Sequence, residues 1–122
     1  MQDPRGLRVY EAAQKLASDV YPLALALPPQ ERCGLSAQLR SAAMSVGSNI
    51  AEGCGRCTPR DMCCFLDRAL GSANEVQFQV SQAARVGLIS RRMSWKAINT
   101  TRCVQRMLTS LIRTIRRENG LD

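Results

Sequence analysis

The chain has 122 residues, which is enough for one domain with one hydrophobic core and too short for two. It contains no histidine, so imidazole is excluded as a general base, proton shuttle or metal ligand. Its 17 Lys and Arg residues outnumber 10 Asp and Glu residues, and 15 of the 17 are Arg. Arginine binds phosphate or carboxylate through two parallel hydrogen bonds, so this composition favours an anionic partner, although GC-rich coding also raises arginine content.

The sequence contains six cysteines and does not begin with the pattern of a signal peptide. No apolar run approaches the ~18 residues needed to span a bilayer. We therefore expect a cytoplasmic protein with free thiols and no membrane partner.

The first predicted helix covers about residues 7–26, where apolar residues recur at steps of three and four. It stops before Pro28 and Pro29, which disfavour a helical residue ahead of them. The second covers about residues 33–53 and ends at GCGRC, whose glycines permit a left-handed turn.

The third predicted helix covers about residues 59–86, with Thr58 as its cap and Gly87 at its end. The fourth covers about residues 91–118, between Ser90 and Gly120. Strand alternation is not seen, and short connections join antiparallel neighbours. The sequence therefore predicts an all-α, up-down-up-down antiparallel four-helix bundle that forms a single domain over residues 1–122.

The second helix is uncharged on every side between Arg40 and Glu52, through the stretch SAAMSVGSNIA. One row of small residues, Ala43, Gly47 and Ala51, is spaced for close approach of another backbone. The third helix carries only Glu75 between residues 68 and 85. Because one bundle covers about one face of each helix, we expect these two helices to form a subunit interface in a closed ring or dimer.

Three stretches, LRVYEAA, ERCGLSAQLRSAAMSVGSNIAEG and FLDRALGSANEVQFQV, resemble a family of four-helix-bundle proteins encoded by intervening sequences in bacterial 23S ribosomal RNA genes. That family includes the accessory variability protein of diversity-generating retroelements, and the resemblance spans residues 7 to about 112. This sequence has Tyr10, Ser41 and Gly47 where the family often has Trp, Arg and Pro. The matching signature positions are Gln38, Arg40, Ser45, Asn49, Glu52, Gly53, Gly71, Ser72 and Glu75.

The resemblance implies a homopentameric ring with no known catalysis, no cofactor and no small-molecule substrate. In the retroelement branch it also implies a basic surface that binds nucleic acid and a reverse transcriptase.

Two signature residues have a physical interpretation of their own. Glu52 lies in the last helical turn, where the helix dipole disfavours an anion, so it needs a cation such as Arg56 or Arg40 of a neighbouring subunit. Asn49 is expected to bond the next loop or the third helix. We expect structural rather than catalytic roles for both, since paired carboxylates, a phosphate-binding glycine loop and a nucleophile with its base are missing or unsupported.

The fourth helix holds eight basic residues and no acid before Glu118. On a helical wheel they share an arc of about 160° opposite the apolar stripe, together with the only tryptophan. This face favours RNA, DNA or a nucleic-acid-handling protein as partner. The alternative is a solvated face whose arginines pair with acids of neighbouring subunits, with the tryptophan packed on the N-terminal segment. The residues of this predicted site are Arg91, Arg92, Trp95, Lys96, Arg102, Arg106, Arg113, Arg116 and Arg117.

The stretch CGRCTPRDMCC raises the question of a metal site. Cys54 and Cys57 have the spacing of a zinc-binding pair. Cys63 and Cys64 are adjacent on a helix and point about 100° apart, so both can hardly reach one ion. We expect no metal. A redox pair is disfavoured because no strand precedes the helix. We therefore expect the cysteines to be ordinary thiols.

Overall fold

The computed structural model describes residues 3–121 as four α-helices and one 3₁₀ turn, with no strand in that range. Met1, Gln2 and Asp122 lie outside the described residues. No helix in the described range is long and apolar enough to cross a bilayer. The helices are α1 (Pro4–Leu25), α2 (Leu35–Cys54), α3 (Pro59–Arg85) and α4 (Arg91–Asn119), and the 3₁₀ turn is Pro29–Glu31.

The first helix begins three residues earlier than the sequence pattern predicted. Asp3 caps it by accepting a hydrogen bond from the Arg5 amide at 2.8 Å, and Pro4 occupies the first turn, where no amide hydrogen is needed. The apolar periodicity starts only at Leu7, which is why the pattern missed this turn.

Local signals set the other helix ends. Thr58 and Ser90 accept hydrogen bonds from the amides of Asp61 and Met93, each at 3.1 Å, as expected of caps. Among residues 3–121, positive φ occurs only at Gly87 and Gly120. The glycines of GCGRC permit a left-handed turn but do not form one.

The real constraint on this segment is close packing at Gly53, which is buried inside α2. A Cβ there would lie 3.0 Å from the Phe65 Cβ and 3.1 Å from the Met62 carbonyl oxygen. Glycine at position 53 therefore lets α3 approach α2. Gly47, by contrast, has only the Ala13 Cβ within 4 Å, at 3.9 Å, so no close approach within the chain explains that glycine.

Where neighbouring helices contact each other, residues near the start of one helix lie beside residues near the end of the other. This is the arrangement of an up-down-up-down bundle. Gly53 at the end of α2 packs on Phe65 near the start of α3. Asp67 in α3 pairs with Arg116 near the end of α4, and Glu118 pairs with Arg5 at the start of α1.

The core lies between the four helices and is largely apolar. Each helix contributes one leucine with no exposed surface, and β-branched residues and alanines fill the space around them. This confirms the all-α four-helix bundle. The four leucines are Leu16, Leu39, Leu66 and Leu108.

Candidate nucleic-acid interface

The outward surface of α4 is basic along its whole length. Ser90 starts the helix, and the apolar residues at three- and four-residue steps turn inward, leaving the basic residues opposite. All are exposed except Arg116, which is half-buried. We call this surface the arginine face; it consists of Arg91, Arg92, Trp95, Lys96, Arg102, Arg106, Arg113, Arg116 and Arg117.

Two of the eight cations are paired within the chain. Arg116 donates to Asp67 of α3 at 3.1 Å. Lys96 lies 3.8 Å from Asp19 of α1. The other six have no carboxylate oxygen within 4.0 Å among residues 3–121, so the arginine face keeps most of its positive charge.

Asp19 anchors α1 to the basic helix. The Thr100 hydroxyl donates to it at 2.7 Å and the Lys15 ammonium at 2.9 Å. Burial pushes the pKa of Asp19 upward, but these two hydrogen bonds and the charges of Lys15 and Lys96 together outweigh it, and the pKa is lowered from the ordinary 3.8. Asp19 therefore remains charged at neutral pH and neutralises the edge of the arginine face.

Trp95 is 70% exposed, the largest exposed fraction of any large hydrophobic side chain in the described range. The alternative that it packs on the N-terminal segment is thus not realised by residues 3–121. Neighbouring Arg91 and Arg92 are also exposed. An exposed indole between cations is suited to stacking on a base.

Shallow grooves run along both sides of α4. The groove toward α3 has a volume of about 550 Å³ and is lined by Arg113 and Arg117 together with the Asp67–Arg116 pair. The groove toward α1 has a volume of about 460 Å³ and brings Arg8 beside Arg106.

Arg5 and Arg8 were missed as members of the basic region because Arg5 lies before the predicted start of the first helix and Arg8 lies on a helix other than α4. The Asp3–Pro4 cap was the available signal: it carries both residues onto the first two turns, beside the end of antiparallel α4. Arg5 pairs with Asp3 and Glu118, whereas Arg8 is exposed without a carboxylate within 4.0 Å in the described chain.

The polar signature residues form a chain of hydrogen bonds between α2 and α3. The Ser72 hydroxyl donates to the Ser45 oxygen at 2.9 Å, and the Asn49 amide donates to the Ser45 carbonyl and hydroxyl oxygens at 2.9 and 3.0 Å. Ser45, rather than Asn49, therefore makes the crossing to the third helix. The satisfied bonds give Asn49 a structural role.

Glu52 has the partner expected for it, since its carboxylate accepts a hydrogen bond from Arg56 in the same chain. The Arg56 guanidinium also lies 4.5 Å from the centroid of the Phe65 ring, and that of Arg68 lies 4.6 Å from it. The Arg56 contact ties the loop after α2 to the start of α3, whereas the Arg68 contact lies within α3.

The remaining signature residues are not brought together at one site. Arg40 donates to the backbone carbonyls of Ser36 and Arg32, at 3.3 and 3.4 Å. Gln38, Gly71 and Glu75 are exposed. A Cβ at Gly71 would meet nothing within 4 Å, and Glu75 has no cation within 4.0 Å in the described range, so one chain alone gives no reason for either residue.

The cysteines do not form a metal-binding cluster within residues 3–121. All six are free thiols, and within residues 3–121 no three Cys, Asp or Glu side chains are arranged to hold a metal ion. Burial raises the pKa of the Cys54 and Cys63 thiols. Both are therefore protonated and poorly reactive at neutral pH.

Comparison with known proteins agrees with this architecture. The family model of the 23S rRNA-intervening sequence protein matches residues 5–110. A crystal structure of a protein with unknown function from the S23 ribosomal protein family of Bacteroides thetaiotaomicron superimposes with a TM-score of 0.82 at 23% identity, covering 89% of this chain and 98% of its own. A search among curated proteins finds no significant match. The chain belongs to the 23S rRNA-intervening sequence protein family.

Proposed function

We propose that this protein is a non-enzymatic, cytoplasmic homo-oligomer that binds nucleic acid, or a nucleic-acid-handling protein such as a reverse transcriptase, through the arginine face. The observation that carries the proposal is that six of the eight α4 cations have no acid partner in the described chain. Arginines four residues apart, such as Arg102 with Arg106, repel by a few tenths of a kcal/mol each. An anionic ligand relieves that repulsion and releases counterions on binding.

The outward surfaces of α2 and α3 support the oligomeric part of the proposal. Met44 of α2 is 57% exposed and Phe78 of α3 is 64% exposed. Few charged residues lie near either of them in the sequence. Gly71 leaves open space where another backbone can approach. An uncharged surface with exposed large apolar side chains fits contact with another copy. Of the possible assemblies, the pentameric ring implied by the family resemblance repeats the arginine face and multiplies weak phosphate contacts.

The rival proposal is a structural scaffold in which the arginines pair with acids of adjacent subunits. Glu75 favours it, because this exposed acid on α3 has no cation within 4.0 Å in residues 3–121. The two proposals differ in what charge reversal on α4 does to assembly.

Charge reversal at Arg106 and Arg113 together tests the proposal. We expect the variant to lose RNA and DNA binding in fluorescence anisotropy while its sedimentation coefficient stays unchanged. The control reverses Arg32 and Arg60, which are exposed outside α4 and give the same net charge. Loss of assembly in the α4 variant alone would support the scaffold instead.

A further inference from the structure

We propose that the arginine face takes its nucleic acid as a single strand that follows α4, with a base stacked on Trp95. This inference rests on the proposed function and specifies its ligand. Trp95, Arg102, Arg106, Arg113 and Arg117 follow one another at steps of seven, four, seven and four residues. At 100° per residue these steps keep all five side chains within an arc of about 60°, at intervals of about 10 and 6 Å along the axis.

The row is nearly straight and its four charged residues are all arginines, so it can follow a phosphate backbone. A depression of about 390 Å³ lies along it and is lined by Thr109 and Ser110 as well as by Arg106 and Arg113. The two hydroxyls add neutral hydrogen-bonding groups between cations, which suits a sugar-phosphate chain better than a carboxylate side chain.

The exposed indole selects single strands over duplexes. Proteins that bind single strands combine a positively charged track with aromatic side chains on which unpaired bases stack. In a duplex the bases stack on one another, and a protein helix reads them by entering the major groove. α4 lies between α1 and α3, with grooves lined by residues of those helices on both sides. α4 therefore offers a ligand a row of side chains, and it does not project as a separate helix that could enter a major groove.

Phe78 of α3 is the contrasting case. It is 64% exposed, close to the 70% of Trp95. The only charge between residues 68 and 85 of its helix is Glu75, so no cationic row passes beside it. An exposed aromatic side chain alone therefore does not make a base platform.

The test compares fluorescently labelled oligothymidylate and oligouridylate with a duplex of the same length, for the full chain at low salt. We expect the single strands to bind about tenfold more tightly than the duplex and to quench the intrinsic fluorescence of Trp95, the only tryptophan. The Trp95→Ala variant should lose about fivefold or more of its single-strand affinity, and Trp95→Phe should recover part of it. The Tyr21→Ala variant should bind as the unmodified protein does, because Tyr21 is an exposed aromatic residue outside α4.

Equal affinity for duplex and single strand, or a Trp95→Ala variant that binds single strands normally, would overturn this inference and leave the proposed function standing. Failure of every probe to bind at low salt would overturn the proposed function, and the inference with it.

Discussion

The outward surfaces of α2 and α4 differ in charge although the inward surfaces of the two helices are alike. Inward, both place leucine, isoleucine and valine at three- and four-residue steps. Outward, α2 carries serine, alanine and Met44, whereas α4 carries arginines and Trp95. The inward half of each helix specifies the bundle. The outward half is free of that constraint, and we propose that it meets the partner, another copy for α2 and an anion for α4.

The largest expected effect is on assembly. The Met44→Glu variant should dissociate the oligomer into single subunits in sedimentation velocity, because burying an unpaired carboxylate in an interface costs several kcal/mol. Leu25→Glu is the control, since Leu25 is similarly exposed, at 64%, but lies at the end of α1. A Met44→Glu variant that sediments as the unmodified protein does would remove α2 from the interface.

The next effect separates a glycine needed within the chain from one that is not. Gly53→Ala should lower the free energy of unfolding by about 1–3 kcal/mol, because its Cβ would crowd Phe65 and the Met62 carbonyl. Gly71→Ala should raise the free energy of unfolding of the separated subunit by about 0.5–1 kcal/mol, since nothing lies near that position. Urea unfolding measures both. Equal effects of the two substitutions would contradict the packing at Gly53.

The third effect concerns Asp19, which pairs with Lys96 at the edge of the arginine face. Because the folded-state pKa of Asp19 is lowered, its contribution to stability is present above the unfolded value of 3.8 and is lost as pH falls through the folded value. Asp19→Asn should therefore lower the free energy of unfolding at pH 7 by about 1 kcal/mol, with a smaller difference below about pH 3. Urea unfolding across this pH range checks the sign; a difference that grows toward acid pH would contradict it.

The smallest effect is a pattern of thiol reactivity. Iodoacetamide should alkylate the four exposed cysteines quickly and the half-buried Cys54 and buried Cys63 slowly, because burial raises the pKa of those two thiols. Saturating nucleic acid should slow Cys103, which lies on the outward side of α4, and leave Cys33 unchanged. Mass spectrometry of the labelled peptides measures each rate, and unchanged alkylation of Cys103 would argue against binding at α4.

Periodicity and caps made the fold predictable from the sequence. The steps of three and four residues gave the four inward faces, and Thr58, Ser90 and Gly120 marked helix ends. The close packing at Gly53 was not predicted because it depends on α3, which periodicity in α2 cannot reveal. The α4 face was predictable as a row of cations. Its pairing was not, because Asp67 and Asp19 reach it from other helices.

The salt dependence of nucleic-acid binding tests the central claim most directly. If the unpaired arginines of α4 contact phosphates, affinity should fall on the order of a hundredfold between about 50 and 200 mM salt. The slope of log K against log salt should become shallower by about 0.7 for each contacting arginine replaced by glutamine, starting with Arg106. Affinity that does not change with salt concentration would contradict an electrostatic role for this face. A slope of log K against log salt that is unchanged in Arg106→Gln would also contradict it.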